Sequence, residues 1–160
     1  MSYGDDRSPS AGLRLAAELR GRGYAVTAFR LGPGSGAASY DSAAAVAGAA
    51  PVTVFAVAIR PAPWHLNGIT LPDPLARLID GTAAARRAIL VSEGTPYMVR
   101  ETPAVSSYLL AWAADAVSET AVGRALAGAA PINGRLPITI PPRYPLGTGL
   151  ERGAGVGATH

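Results

Sequence analysis

From Val52 to Ile59 the chain reads VTVFAVAI, apolar throughout except for Thr53 and rich in β-branched and aromatic residues. A strand with one face in water alternates polar and apolar side chains, whereas an unbroken run of this kind needs both faces covered. That condition is met by a parallel sheet with helices packed on each side. The apolar character extends back to Ala43, approaching the length of a membrane span. The upstream part, however, is mostly alanine, carries Gly48 and is broken by Pro51. The stretch therefore reads as the end of a buried helix, a turn and a buried strand, with no membrane association expected.

The rest of the chain keeps the same rhythm. Leu13, Ala16, Ala17 and Arg20 recur at helical spacing, predicting a helix over Ser10–Arg22 that Gly21 and Gly23 end. YAVTAFRL, residues 24–31, predicts a strand, followed by a Gly/Pro loop from Gly32 to Gly36 and a small-residue helix over Ser39–Ala49. A helix is expected over Asp73–Arg87, strands over Ala88–Ser92 and Val105–Trp112, and a helix over Ser118–Leu126. The fold class that follows is α/β: a flavodoxin-like three-layer α/β/α sandwich around a mainly parallel sheet of about five strands. One domain over residues 1–150 is expected, with residues 151–160, rich in Gly and Ala, as a flexible tail.

Composition excludes several functions. The 160 residues carry a formal charge of +3 from 14 arginines against 11 acids, with no lysine. The arginines are scattered, Arg86-Arg87 being the one adjacent pair, so no cationic stripe follows a phosphate backbone and no nucleic-acid partner is expected. There is no cysteine, which removes disulfides, thiolate catalysis and Cys-based zinc sites. The two histidines, His65 and His160, have no partners at metal-ligand spacing, so neither a metal nor a cofactor is expected. Met1 to Ser10 is polar and unlike a signal peptide, which leaves the compartment open.

In open α/β sheets ligands gather at the carboxyl ends of the strands. The candidates there are Asp5 and Asp6, the Gly32–Gly36 loop, Arg60 with Trp64 and His65, and Glu93. Asp5, Asp6 and Glu93 are weak candidates for a catalytic carboxyl pair of the kind that cleaves glycosides. The competing role for Asp5 or Asp6 is to cap the following helix or to pair with Arg60. Trp64 has an aromatic face that suits the C–H face of a sugar, His65 can donate to hydroxyls, and Arg60 stands beside them as a further binding residue. Packing of Trp64 against Pro61 and Pro63 is the structural alternative. Gly32-Pro33-Gly34-Ser35-Gly36-Ala37 fits G-x-G-x-x-A, which leaves a nucleotide-binding module open. Against it, the loop follows the second strand and Pro33 removes a donor, so a structural turn is the favoured reading. Tyr97, Tyr108 and Trp112 are expected in the core or at an interface, and Arg135 at the sheet edge.

The segment Pro131–Leu150, PINGRLPITIPPRYPLGTGL, is unusual: Asn133-Gly134 leads into a short alternating run that stops at Pro141-Pro142. It resembles the closing motif of the C-terminal α/β domain of glycoside hydrolase family 3, Gly-Arg-Leu-Pro-(Val/Ile)-(Thr/Ser)-(Ile/Val)-Pro. Val91-Ser-Glu-Gly-Thr-Pro-Tyr97 is similar to the family's Val-Ser-x-Gly-x-Pro-Tyr turn, and Val105–Trp112 to the strand after it. Gly68-Ile-Thr-Leu-Pro72 with Leu78-Ile79 matches a Leu-Pro…Leu-Ile pattern. The segments fall in the family's order, and the fit is best to the β-N-acetylglucosaminidase-like branch, with the β-glucosidase-like branch as the other option.

The resemblance implies a domain that docks on a (β/α)8 barrel and completes one wall of a site for a β-linked glycan. The family's nucleophile is an Asp of the barrel, which this chain lacks. In β-glucosidase-like members the acid/base is a Glu in the loop before the Leu-Pro pattern. Here that loop reads Arg60-Pro-Ala-Pro-Trp-His-Leu-Asn67, without a carboxylate. The β-N-acetylglucosaminidase-like branch places a His acid/base in the barrel, so the missing Glu fits that branch. A domain not catalytic alone is the expectation, with a free-standing glycosidase using Asp5, Asp6 or Glu93 as the alternative. The first strand also reads as short, since only Ser2-Tyr3 precede Gly4-Asp5-Asp6 where the family has a few apolar residues; Met1 is thus expected to be a boundary cut into that strand. Oligomeric state is left open.

Overall fold

A computed structural model describes residues 1–60 and 70–155. Five strands form one parallel sheet: β1 (Ser2–Gly4), β2 (Arg30–Leu31), β3 (Val52–Ala58), β4 (Arg87–Ser92) and β5 (Ser107–Leu110). Four helices alternate with them: α1 (Leu13–Gly21), α2 (Ala37–Ala49), α3 (Asp73–Ala85) and α4 (Ala116–Leu126). The strand order is β2-β1-β3-β4-β5, the flavodoxin-like arrangement, in which the connections reverse direction between β1 and β3.

Strand alternation divides the core in two, as period-two side-chain placement requires. Phe55, Val57, Ala88 and Leu90 point to one face and pack with Ala43 of α2 and Leu75, Leu78 and Ile79 of α3. Ala56 and Val91 point to the other and meet Leu15 of α1 and Val122 of α4. The Val52–Ile59 run is thus sandwiched as its composition demands, with Phe55 1% and Ala58 0% exposed. Among the described residues no helix is long and apolar enough to cross a membrane.

Two predicted elements are shorter than the sequence suggests. Of residues 24–31, Arg30 and Leu31 alone form ladder pairs, with Ser2 and Tyr3. The reason is the partner: β1 begins at Ser2, so Tyr24 to Phe29 have no strand beside them. β5 stops at Leu110, because Trp112 adopts a left-handed backbone (φ 64°). Trp112 is 47% exposed and so is not a core residue.

The closing segment runs back on itself without becoming a regular strand pair. Ile132 pairs with Arg152 and Ile140 with Tyr144, both antiparallel, while the Leu136 N–H donates to the Thr148 carbonyl at 2.8 Å. Pro137, Pro141 and Pro142 contribute no N–H, which limits pairing to isolated bridges. The Pro141–Pro142 bond is cis. Arg135 pairs with Glu151 within this segment, in place of the sheet-edge contact expected from sequence. Part of the expected tail is tied down as well: Arg152 exchanges two hydrogen bonds with Ile132, and the Gly155 N–H donates to the Gly128 carbonyl at 2.9 Å.

Candidate functional site

The strand order reverses between β1 and β3, and Asp5 and Arg60 emerge at the carboxyl ends of these two strands, where open α/β sheets take their ligands. Asp5 binds this corner together. Its N–H donates to the Ala58 carbonyl at 3.1 Å. Its carboxylate accepts from the Arg7 N–H on Oδ1 (3.1 Å) and the Arg60 N–H on Oδ2 (3.0 Å). The Arg7 guanidinium donates to the Arg60 carbonyl at 2.9 Å. Asp5 therefore grips Arg60 through its backbone and caps a turn, and does not cap α1. Asp6 is exposed beside it.

Two glycines allow this crowding. A Cβ on Gly4 would lie 2.0 Å from the Ser8 carbonyl oxygen, and one on Gly94 would lie 2.3 Å from that of Ile59. No side chain fits at either place.

Trp64 and His65 fall outside the described residues, but the two ends of their loop are inside them. At one end is the Arg60 amide on Asp5. At the other, the Leu71 N–H donates to Glu101 Oε2 at 3.0 Å. Burial raises the Glu101 carboxyl above its ordinary pKa, with the Leu71 amide and Arg100 pulling the other way. The loop that sequence singled out for sugar contact is thus held by a carboxylate at each base.

Glu93 follows β4, its N–H bonded to the Val57 carbonyl at 2.9 Å. The side chain is fully buried, and neither carboxyl oxygen has a hydrogen-bond partner. Burial lifts its pKa to about 8, and the negative charges of Glu119 and Asp115 add to the lift. Both of those residues belong to the start of α4, so the field on Glu93 comes from that layer. Glu93 is a neutral acid at neutral pH, enclosed by protein. Among the described residues no group of acids and histidines is arranged to hold a metal ion.

The Gly32–Gly36 loop closes on itself. Ser35 Oγ accepts from the Gly32 N–H at 3.0 Å, and the Ser35 N–H returns to the Gly32 carbonyl at 3.0 Å. Its three glycines all avoid the left-handed region, and a Cβ on Gly34 or Gly36 would meet open space. A phosphate cradle uses glycine for close approach and presents free amides; here the first amide is already taken, as in an ordinary turn.

Sequence reasoning missed Glu119. It is 2% exposed and accepts from the N–H groups of Gly12 (2.8 Å, Oε1) and Leu15 (2.9 Å, Oε2). These are among the orphan donors of the α1 N-terminus, whose own preceding residue, Gly12, has no side chain to cap them. Trp112, just past the end of β5, is 47% exposed, and Val117, in the first turn of α4, is 81% exposed. Tyr108, by contrast, is tucked in, its hydroxyl donating to the Pro96 carbonyl at 2.9 Å and burial lifting its pKa to about 12.

The sheet with α1 and α4 on one face and α2 and α3 on the other, followed by the Pro131–Leu150 segment, is a three-layer α/β domain. The profile described as the glycosyl hydrolase family 3 C-terminal domain matches residues 5–149, and the chain belongs to that family. Among solved structures, a glycoside hydrolase family 3 β-N-acetylglucosaminidase from Paenibacillus sp. str. FPU-7 superposes with a TM-score of 0.64 at 17% identity. The alignment covers 80% of this chain and 24% of that one, so the present chain corresponds to about a quarter of that protein's length. A search of curated proteins gave no significant match.

Proposed function

We propose that this domain docks on a (β/α)8 barrel and shapes one wall of its glycan site, the reaction being retaining hydrolysis of a terminal β-linked sugar, N-acetylglucosamine before glucose. The observation that carries this reading is the carboxyl rim of the sheet. It presents Trp112 to solvent just past β5 and Val117 at the start of α4. Apolar side chains grouped beside strand ends are what a docking surface offers.

The state of two carboxyl candidates, Glu93 and Asp5, supports a domain that is not catalytic alone. A retaining glycosidase needs two carboxyl groups roughly 5–5.5 Å apart and open to substrate. Glu93 is sealed, and the carboxylate of Asp5 is engaged by two backbone amides. In the proposed role Arg60, Trp64 and His65 reach the sugar from the loop, and the nucleophile and acid/base come from the barrel. The likeness to a β-N-acetylglucosaminidase supports the choice of sugar, as does the absence of a carboxylate between Arg60 and Asn67.

The test is reconstitution. A family 3 barrel stripped of its own C-terminal domain is titrated with this chain, following hydrolysis of 4-nitrophenyl N-acetyl-β-glucosaminide. Saturable gain of activity, lost with Trp112→Asp or Val117→Asp, is expected. No change in barrel activity and no complex by ultracentrifugation would contradict docking.

A further inference from the structure

Glu93 continues β4 by one residue and turns its side chain toward the α1–α4 layer. Ser92 pairs with Val57, so Glu93 lies level with Ala58, and Gly4 of β1 lies level with Ala58 on its other side. Val91 points to the α1–α4 face, and Glu93, two residues on, points the same way. There it is fully buried, and both carboxyl oxygens lack a hydrogen-bond partner. Ser8, whose carbonyl crowds the Cβ position of Gly4, brings a third buried oxygen without a partner, its Oγ, to this end of the sheet. Buried polar groups in folded proteins are nearly all hydrogen-bonded, so three such oxygens at one end of the sheet mark a place that is closed but not satisfied.

The amides at the two helix starts on this face are already in use. Glu119 takes those of Gly12 and Leu15 in α1, and Asp115 takes those of Val117 and Ser118 in α4. On α1, Arg14 donates to Thr120 and Glu18 pairs with Arg22. At the ends of β1 and β3, Asp5 is held by the Arg7 and Arg60 amides, and the Arg7 guanidinium donates to the Arg60 carbonyl. Among the described residues the charges that act on Glu93 are Glu119 and Asp115, both acids, and burial leads them in raising its pKa to about 8. The connection from β5 to α4 is irregular. The Ala111 N–H donates to the Ser92 carbonyl at 2.8 Å, Trp112 takes a left-handed conformation (φ 64°), and the Ala113 N–H turns back on the Ala111 carbonyl at 2.8 Å. A tryptophan holds that conformation only while its surroundings enforce it.

We propose that the segment from Ala111 to Glu119 is a proton-controlled latch: protonated Glu93 keeps the start of α4 seated on the sheet, and loss of that proton favours release of the segment while the sheet stays folded. Opening separates Glu119 from Gly12 and Leu15 and Ala111 from Ser92, admits water to the Glu93 carboxylate and frees Trp112 from its left-handed backbone. Closed, Glu93 holds its proton up to about pH 8; opened to water, it releases that proton near the ordinary 4.5. Rising pH therefore favours opening between those two values, by about tenfold per pH unit, and has no effect outside them. Trp112 and Val117 ride on this segment, so opening dismantles the docking face proposed above. The inference rests on the docking reading for this consequence alone.

The experiment follows native-state amide exchange of the full chain from about pH 5 to pH 9, each rate divided by its value in unstructured peptide so that intrinsic base catalysis cancels. Gly12, Leu15 and Ala111 report the latch, and amides of the β3–β4 ladder report the sheet. Protection at Gly12, Leu15 and Ala111 is expected to lie below that of the ladder. It is expected to fall about tenfold per pH unit from about pH 5 to pH 8 and then to level off. In Glu93→Gln it is expected to stay flat. The parent decides alone if that variant does not fold, because a flat profile at these amides in the parent overturns the proposal. Protection there equal to that of the ladder also overturns it, since the segment would then open only with the whole fold. Neither result bears on barrel docking or sugar hydrolysis, which are measured with the partner present.

Discussion

Glu119 accepts a hydrogen bond from the Gly12 N–H at 2.8 Å across 107 residues of sequence, so that α4 caps α1. Its second oxygen takes the Leu15 N–H, and the carboxylate sits where the α1 dipole favours negative charge. Bonds to a buried charge contribute roughly 1.5–3 kcal/mol each, and leaving the amides unpaired adds a cost. Glu119→Ala should therefore destabilise the domain by about 2–4 kcal/mol in urea unfolding, and Glu119→Gln, which keeps one acceptor, by about half as much. Equal stability of Glu119→Ala and the parent would show that the α1 end is satisfied some other way.

Glu93 gives the domain a pH dependence of definite sign. Its pKa rises from an ordinary 4.5 to about 8 on folding, through burial first and the Glu119 and Asp115 charges second. Between those values the folded state holds a proton that the unfolded chain has released. The contribution of Glu93 is therefore fully present below pH 4.5 and lost as pH rises through about 8. The loss is on the order of 5 kcal/mol, since each tenfold change in proton affinity is worth about 1.4 kcal/mol. In Glu93→Gln this component disappears, so the parent should lose stability relative to the variant between pH 5 and pH 9. Parallel stability curves would contradict a buried neutral acid. In Glu119→Gln the parent's midpoint should move downward.

Asp5 fixes the base of the Arg60 loop and little else. Asp5→Ala should cost about 1–2 kcal/mol and speed amide exchange at Arg7 and Arg60 while leaving that of the β4 core unchanged. Uniformly faster exchange would mean that Asp5 supports the whole fold.

The glycines separate a crowded corner from an open turn. Gly94→Ala would push a methyl against the Ile59 carbonyl at 2.3 Å, and should destabilise by about 3 kcal/mol or prevent folding. Gly34→Ala meets open space and should stay within about 0.5 kcal/mol of the parent. It should also leave function intact. A Gly34→Ala variant that loses a bound nucleotide would restore the phosphate-loop reading.

The parallel core was legible because its signals are local. Val52–Ile59 and the α3 stripe of Leu75, Leu78 and Ile79 carry their burial in their own periodicity. The strand expected at residues 24–31 is overextended because a ladder needs a neighbour: the short first strand read from Ser2-Tyr3 pairs with Arg30 and Leu31 alone, a consequence that the composition of residues 24–29 does not carry. Glu93 was visible as a carboxyl in a strand-end turn; its burial was not. Glu119 left no signal, since on a helix pattern it reads as one more surface acid, and its partners lie more than a hundred residues away. The Asp5–Arg60 contact was foreseen as an ion pair and proved to run through the backbone amide, which any residue at position 60 supplies.

The most direct test is hydrolysis of 4-nitrophenyl β-glycosides, N-acetylglucosaminide included, by the purified chain beside Glu93→Gln. No turnover above blank by either protein is predicted, since Glu93 is buried and the Asp5 carboxylate is engaged by the Arg7 and Arg60 amides. Turnover by the parent that disappears in Glu93→Gln would contradict the account and make this chain a glycosidase in its own right.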